Sequence, residues 1–453
     1  MTKGFLYFIC SVSAMGGLLF GYDWVVIGGA KPFYEVFFGI TDSPTLQGLA
    51  MTTANIGCLV GAMTAGILAD RWGRKPLLLI AAMLFTISAI TTGAFNDFTL
   101  FNIARFVGGI GIGVASALSP MYIAEVSPAH IRGRMVSLNQ MTIVLGILGA
   151  QIINMLLAQS VSENATNAEL LDSWNVQMGW RWMFWAETLP AGLFLLLAYF
   201  IPESPVFLEM KRQRVQASGS QKDASSTIQN GTKATKVKKQ TSESGLGSLL
   251  TYKKVLLLGL VIAVFQQWCG TNVIFNYAQE IFQGAGFSVD GMFINIVITG
   301  IANVLFTFVA LYTVEKWGRR TLMLIGAGGL GLIYLILGTC YFLGVQGIAM
   351  VALVVAAISC YAMTLGPVTW VLLSEIFPHK IRGLAMSVCT FALWAGCCTL
   401  TYSFPIMNAS LGSYGSFWIY SGICMAAFLF LLKRCPETKG KSLEELEKEL
   451  ATS

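Results

Sequence analysis

The sequence predicts an all-α membrane protein of twelve transmembrane helices, built as two pseudo-symmetric six-helix bundles. Three observations carry that prediction: apolar runs of membrane length from end to end, an alternation of basic and non-basic loops, and short motifs that recur six spans apart. Of the 453 residues, 55% are hydrophobic and only 11% charged, a balance that suits lipid rather than water as the solvent for most of the chain. In hydrocarbon a chain must close its backbone hydrogen bonds within itself, so each run of roughly 20 apolar residues reads as a helix.

The runs lie near 5–29, 46–69, 76–95, 100–126, 135–159, 180–201, 254–283, 289–314, 321–343, 347–377, 384–408 and 414–434. The first follows Lys3, as a signal peptide would, but it is long and holds Tyr22 and Asp23 rather than a small-residue cleavage site, so it reads as a retained helix. All 29 lysines and arginines except Lys31, Arg105 and Arg181 fall before span one, in alternate loops or at the C-terminal end. The positive-inside rule then places both termini in the cytoplasm of a multi-pass plasma-membrane protein, with Lys31 in the first outer loop.

The net charge of +6 is therefore topological and offers no continuous surface to nucleic acid. All ten cysteines fall within spans or at their inner ends and read as small apolar residues, not as a disulfide framework or metal site. No nucleotide-binding loop is present, and neither histidine, His130 or His379, is paired with a candidate nucleophile, so the sequence argues against an enzyme and calls for no cofactor.

A polar stretch from Gln213 to Ser248 divides the spans six and six. The expected organisation is a bundle over 1–201, a partly disordered cytoplasmic linker over 202–253, a second bundle over 254–434, and a tail over 435–453 whose Leu443, Leu446 and Leu450 suit one short amphipathic helix. Asn164-Ala-Thr166 fits a glycosylation sequon, a pattern common by chance. Asp70-Arg71-Trp-Gly-Arg74-Lys75 recurs as Glu315-Lys316-Trp-Gly-Arg319-Arg320. Glu125-Val-Ser-Pro-Ala-His-Ile-Arg132 recurs as Glu375-Ile-Phe-Pro-His-Lys-Ile-Arg382, and Pro202-Glu-Ser-Pro205 has its counterpart in Pro436-Glu-Thr-Lys-Gly440. Two parallel six-helix repeats place a binding site between them.

Together with Gly16-Gly-Leu-Leu-Phe-Gly-Tyr-Asp23, Arg105-Phe-Val-Gly-Gly-Ile-Gly-Ile-Gly113, Gln266-Gln267 and Gly366-Pro367 with Trp370, these motifs resemble the sugar porter family of the major facilitator superfamily over nearly the whole chain. Within it the likeness is to bacterial D-xylose/proton symporters, with animal facilitative glucose carriers more distant. The resemblance implies inner-surface charge clusters that lock the halves when the cavity faces outward: Asp70, Arg71, Arg74, Glu125 and Arg132, with Glu315, Arg319, Arg320, Glu375 and Arg382.

Three ionisable residues sit well inside apolar spans: Asp23, Arg105 and Glu187. Such residues are costly in lipid and point to function. Burial favours the neutral acid at Asp23 and an approaching Arg105 favours the carboxylate, so the pair can trade a proton as its separation changes, whereas the bland alternative is a static brace. Proton-coupled members of the resembled family carry an acid at this position, and the facilitative animal carriers lack it.

A sugar needs amides that donate and accept, and aromatic faces for its C–H surfaces. By resemblance, Gln140, Gln266, Gln267, Asn272 and Asn303 are the polar contacts, and Phe20, Trp370 and Trp394 the aromatic ones. On a continuous helix Gln267 and Asn272 point about 140° apart, so sharing one ligand requires unwinding, for which Gly270 is suited. Gly366-Pro367 invites a bend beneath Trp370. By the same resemblance Ile147 stands where the xylose symporters carry a glutamine and the glucose carriers do not, and Asn276 where relatives carry the first of two tyrosines, leaving pentose and hexose both open.

The expectation is a monosaccharide/proton symporter, a functional monomer in the lipid bilayer working by alternating access. A facilitative uniporter on the same fold and, more remotely, a membrane sugar sensor are the alternatives; a drug antiporter is disfavoured by Gly146-Ile147-Leu148-Gly149 in span five.

Overall fold

The computed structural model describes residues 2–128, 130–160, 171–213, 216, 252–378 and 381–439, without the side chains of Glu315, Arg382 and Gly383. Most of the linker, the sequon, His379, the expected tail helix, and the Glu315 and Arg382 side chains of the charge clusters therefore lie outside the described residues.

Helices α1 (Lys3–Phe38), α2 (Pro44–Trp72), α3 (Arg74–Ala94), α4 (Phe98–Val126) and α5 (Arg132–Leu157) are the first five crossings. The sixth is interrupted: a π-turn at Asn175–Gly179 leads into α6 (Trp180–Trp185), and α7 (Thr188–Ala198) follows after a two-residue turn. The seventh is broken into α8 (Lys253–Trp268), α9 (Thr271–Asn276) and α10 (Ala278–Gly284). Then come α11 (Val289–Trp317), α12 (Arg319–Phe342) and a tenth crossing split into α13 (Ile348–Met363) and α14 (Leu365–Ile376).

The last helix, α15 (Arg382–Arg434), has 53 residues, about 80 Å of helix, far more than a bilayer's roughly 30 Å of hydrocarbon. Gly412, at φ 69° and ψ 173°, breaks it into crossings eleven and twelve. The fold is thus the expected twelve-helix one, with the first and last described residues on the same face, here called the terminal face; the opposite face is the distal face.

Local sequence sets the helix ends. The side chains of Thr2, Ser43 and Asp97 cap α1, α2 and α4 by accepting from backbone N–H groups two or three residues into each helix, and Pro44 opens α2 where no N–H is needed. The first helix runs past its hydropathy limit to Phe38, so Lys31 stands on α1 and is buried, not in an outer loop. It needs no water because Glu35, one turn on, pairs with it at 2.9 Å, and Glu280 of α10 pairs with it from the other half.

The repeat reappears in the side-chain contacts at the terminal face. Arg74 forks onto Glu125 at 2.9–3.2 Å in the first half, and Arg319 reaches Glu375 at 3.0 Å in the second. Ser204 bonds Glu125 as Thr438 bonds Glu375. Glu203 accepts from the amides of Arg74 and Lys75 at the start of α3, and Glu437 from those of Arg319 and Arg320 at the start of α12. Each carboxylate sits where the helix dipole favours it. Gly73 and Gly318, both at positive φ, let the carboxylates approach: a Cβ would lie 2.2 Å from a Glu203 oxygen and 2.6 Å from a Glu437 oxygen.

These ion pairs join residues of one half. Contacts between halves run along α2 with α15 and α5 with α11, including a 3.2 Å bond from Asn55 to Thr401. Helix α1 touches both halves: α4, α5 and the sixth crossing on one side, α9 and α10 on the other.

Candidate functional site

The charged centre lies inside the first half. Asp23 on α1 and Arg105 on α4 are each 2% exposed and in direct contact, and a second guanidinium nitrogen reaches the Asp23 carbonyl at 3.3 Å. Phe184 lies 5.4 Å from the guanidinium. Gly108, one turn beyond Arg105, lets Ser88 of α3 pack close beside the pair: a Cβ there would stand 2.3 Å from Ser88 Oγ and in ordinary contact, 3.5 Å, with Asp23 Oδ2. That oxygen has no hydrogen-bond partner among the described residues, and neither has Arg105 Nε.

Glu187 occupies the turn between α6 and α7, buried, with one carboxylate oxygen unpartnered and within electrostatic reach of both Asp23 and Arg105. The structure therefore brings together all three intramembrane ionisable residues. Two buried carboxylates thus share the surroundings of one guanidinium.

The amides form a second centre in the other half. At Gly270, with φ 85°, the seventh crossing unwinds, which turns Asn272 back toward Gln267. Tyr361 Oη accepts from Gln266 Nε2 at 2.6 Å, Gln266 Oε1 accepts from Gln267 at 2.7 Å, and Gln267 Oε1 accepts from Asn272. Such a chain leaves spare donors and acceptors at each amide for a polyol. Tyr361 was not legible in the sequence, where a tyrosine in an apolar span looks like packing.

Around this chain the other expected residues are more dispersed. Gln140 is half-buried on α5; Ile147, two turns on, is buried where α5 packs against Gly21 of α1. Asn303 is buried on α11 with its carbonyl accepting from Thr307, and Asn276 ends α9 buried. No hydrogen bond joins the side chains of Gln140, Asn276 or Asn303 to the amide chain among the described residues. The tenth crossing breaks at Thr364, just before Gly366-Pro367, and Trp370 beyond is 39% exposed.

Phe20 and Trp394 meet across the halves at 6.2 Å between ring centroids. A third ring, Trp24, stands edge-on to both, at 5.8 Å from Phe20 and 5.7 Å from Trp394. Helical spacing from Phe20 is the signal that could have nominated it.

Against this geometry, residues 9–450 match the family model described as "Sugar (and other) transporter". The chain is 38% identical to the D-xylose-proton symporter of Escherichia coli, covering 98% of this chain and 96% of that one, and 36% identical to the arabinose-proton symporter of Bacillus subtilis, covering 99% and 95%. The chain belongs to the sugar transporter family. Its structure superposes on the inward-open xylose transporter of E. coli with a TM-score of 0.80 at 35% identity, over 98% of this chain and 99% of that one.

Sugar transporter family members are transporters, not enzymes, and the chain is a multi-pass membrane protein. The two halves also meet at the distal face. There Lys31 pairs with Glu280 between halves, with its ammonium 5.4 Å from the Tyr277 ring, and Gly28 packs so closely on α9 that a Cβ would lie 2.9 Å from the Asn276 carbonyl.

Proposed function

We propose that this chain takes up a monosaccharide together with a proton by alternating access, as a functional monomer in the plasma membrane with the terminal face in the cytoplasm. The observation that carries the reading is the Asp23–Arg105 pair, buried beside the half-buried aromatic face of the same helix, with one carboxylate oxygen free to take a proton. The two proton-symporting relatives support it, and the concentration of lysine and arginine at the terminal face supports the orientation.

In this reading Asp23 carries the proton, Arg105 stabilises its ionised form and Glu187 adjusts the field at both. Gln140, Gln266, Gln267, Asn272, Asn276 and Asn303 hydrogen-bond the sugar hydroxyls, while Phe20, Trp370 and Trp394 cover its apolar faces. Ile147 and Gly366 shape the cavity. The terminal-face clusters around Glu125 and Glu375 hold each half rigid and exchange partners when that face closes. The contacts between halves at the distal face support a state open toward the cytoplasm.

One proton entering down about 100 mV supplies roughly 2.3 kcal/mol, enough for about 50-fold accumulation of a neutral sugar. The test is uptake of xylose, glucose, galactose and arabinose into sealed vesicles with and without an inward proton gradient, for the wild type and Asp23→Asn. Gradient-driven accumulation that the substitution abolishes while exchange at equal concentrations survives is the expected result. Accumulation indifferent to both gradient and substitution would make the chain a uniporter.

A further inference from the structure

Trp24 is where the observations go furthest beyond the assigned contacts. Its neighbours on α1, Asp23, Val25 and Val26, are buried, yet Trp24 itself is partly exposed. Because α1 is packed against both halves, the space Trp24 opens onto is the cavity between them. Its indole nitrogen has no hydrogen-bond acceptor among the described residues, whereas Trp180 donates to Val176 at 2.8 Å and Trp185 to Ile90 at 3.0 Å.

A tryptophan turned toward a cavity, edge-on to two other rings and with its N–H unspent, combines an apolar wall with one directional donor, which is what a sugar ring asks of a site. Its bulk also takes space. Phe20, Trp24 and Trp394 make a closed triangle with sides of 5.7–6.2 Å, and one turn further along α1, Gly28 lies against the backbone of α9, so the box cannot lengthen in the distal direction. The amide chain fixes the hydroxyl-rich side of a ligand and leaves the opposite edge to be judged by shape.

We propose that Trp24 is a specificity-determining residue that admits pentopyranoses and disfavours hexopyranoses, donating its indole N–H to a ring or hydroxyl oxygen while its bulk fills the volume an exocyclic hydroxymethyl group would need. The assignment rests on the sugar-transport reading above. A pocket wall discriminates by volume, and one added carbon group in a tight pocket is worth roughly 10- to 200-fold.

The test is equilibrium binding of D-xylose and D-glucose, which differ only by that hydroxymethyl group, to the purified full-length chain and to Trp24→Thr and Trp24→Phe. The wild type is expected to bind xylose the more tightly. Trp24→Thr lowers the xylose-to-glucose affinity ratio about tenfold or more, and Trp24→Phe, which keeps a ring but loses the donor, weakens xylose about three- to tenfold. A ratio unchanged within twofold in Trp24→Thr, or a wild type that binds glucose as tightly as xylose, overturns the proposal while leaving sugar transport standing. A wild type that binds neither sugar overturns both. Should Trp24→Thr fail to fold, Trp24→Phe decides: undiminished xylose affinity there refutes the contact.

Discussion

The buried Lys31 offers a direct test of how the distal face is held shut. Its ammonium is 1% exposed and is shared between Glu35 of its own helix, at 2.9 Å, and Glu280 of the opposite half. Opposite charges about 4 Å apart at an effective dielectric of about 20 attract by roughly 4 kcal/mol, and part of this is offset by desolvation. In Glu280→Gln the lysine keeps Glu35, and the new amide oxygen still accepts from it. The net loss to the closed state is therefore about 1–3 kcal/mol, equivalent to a shift of roughly 5- to 150-fold toward distal opening. Backbone hydrogen exchange over 271–284 reads that opening, because these amides become exchangeable when α9 and α10 leave α1. Faster exchange by that factor is expected in Glu280→Gln, with little change in Glu35→Gln, which spares the pair between halves. Equal exchange in the wild type and Glu280→Gln, or an equal rise in both variants, would refute the argument.

Tyr361→Phe removes the acceptor of Gln266 while keeping the ring; sugar affinity should fall about three- to tenfold, and the unpaired Gln266 amide should lower the melting temperature by the equivalent of about 1 kcal/mol, both measurable on purified protein. Gly270→Ala puts a side chain at φ 85°, with its Cβ 2.8–3.2 Å from Tyr420; a cost of about 1–3 kcal/mol should lower the melting temperature, and parting of Gln267 from Asn272 should cut sugar binding about tenfold. Arg74→Ala and Arg319→Ala each strand a glutamate in their own half, at about 2–4 kcal/mol by thermal unfolding. Because the two clusters share no partner among the described residues, the effects should add to within about 0.5 kcal/mol in the double variant.

What the sequence made legible was whatever repeats or is chemically out of place. A carboxylate and a guanidinium in apolar spans have few ways to be satisfied, so pairing Asp23 with Arg105 needed no coordinates. Gln267 and Asn272 demanded an unwound helix, and Gly270 supplies it. Lys31 was misplaced because hydropathy ends a span at a charge, whereas its partner Glu280 lies 249 residues away and only the fold brings it near. Trp24 and Tyr361 stayed hidden for the opposite reason: in lipid-like sequence an aromatic residue is never out of place, and only its neighbours distinguish a wall of the cavity from filler.

Helix α1 ties these features together. At 100° per residue, Phe20, Trp24, Gly28 and Lys31 fall within one stripe about 80° wide, and all four meet the second half. Asp23 lies about 100° from Trp24 and faces α4 instead. The charge pair and the distal pair are only about 12 Å apart along a continuous helix, too stiff to bend independently at each contact. A change in the grip of Arg105 on Asp23 therefore reaches the aromatic triangle and Lys31 as a shift of the whole stripe. No relay of side chains between Asp23 and the aromatic triangle is required, since a single helix carries both.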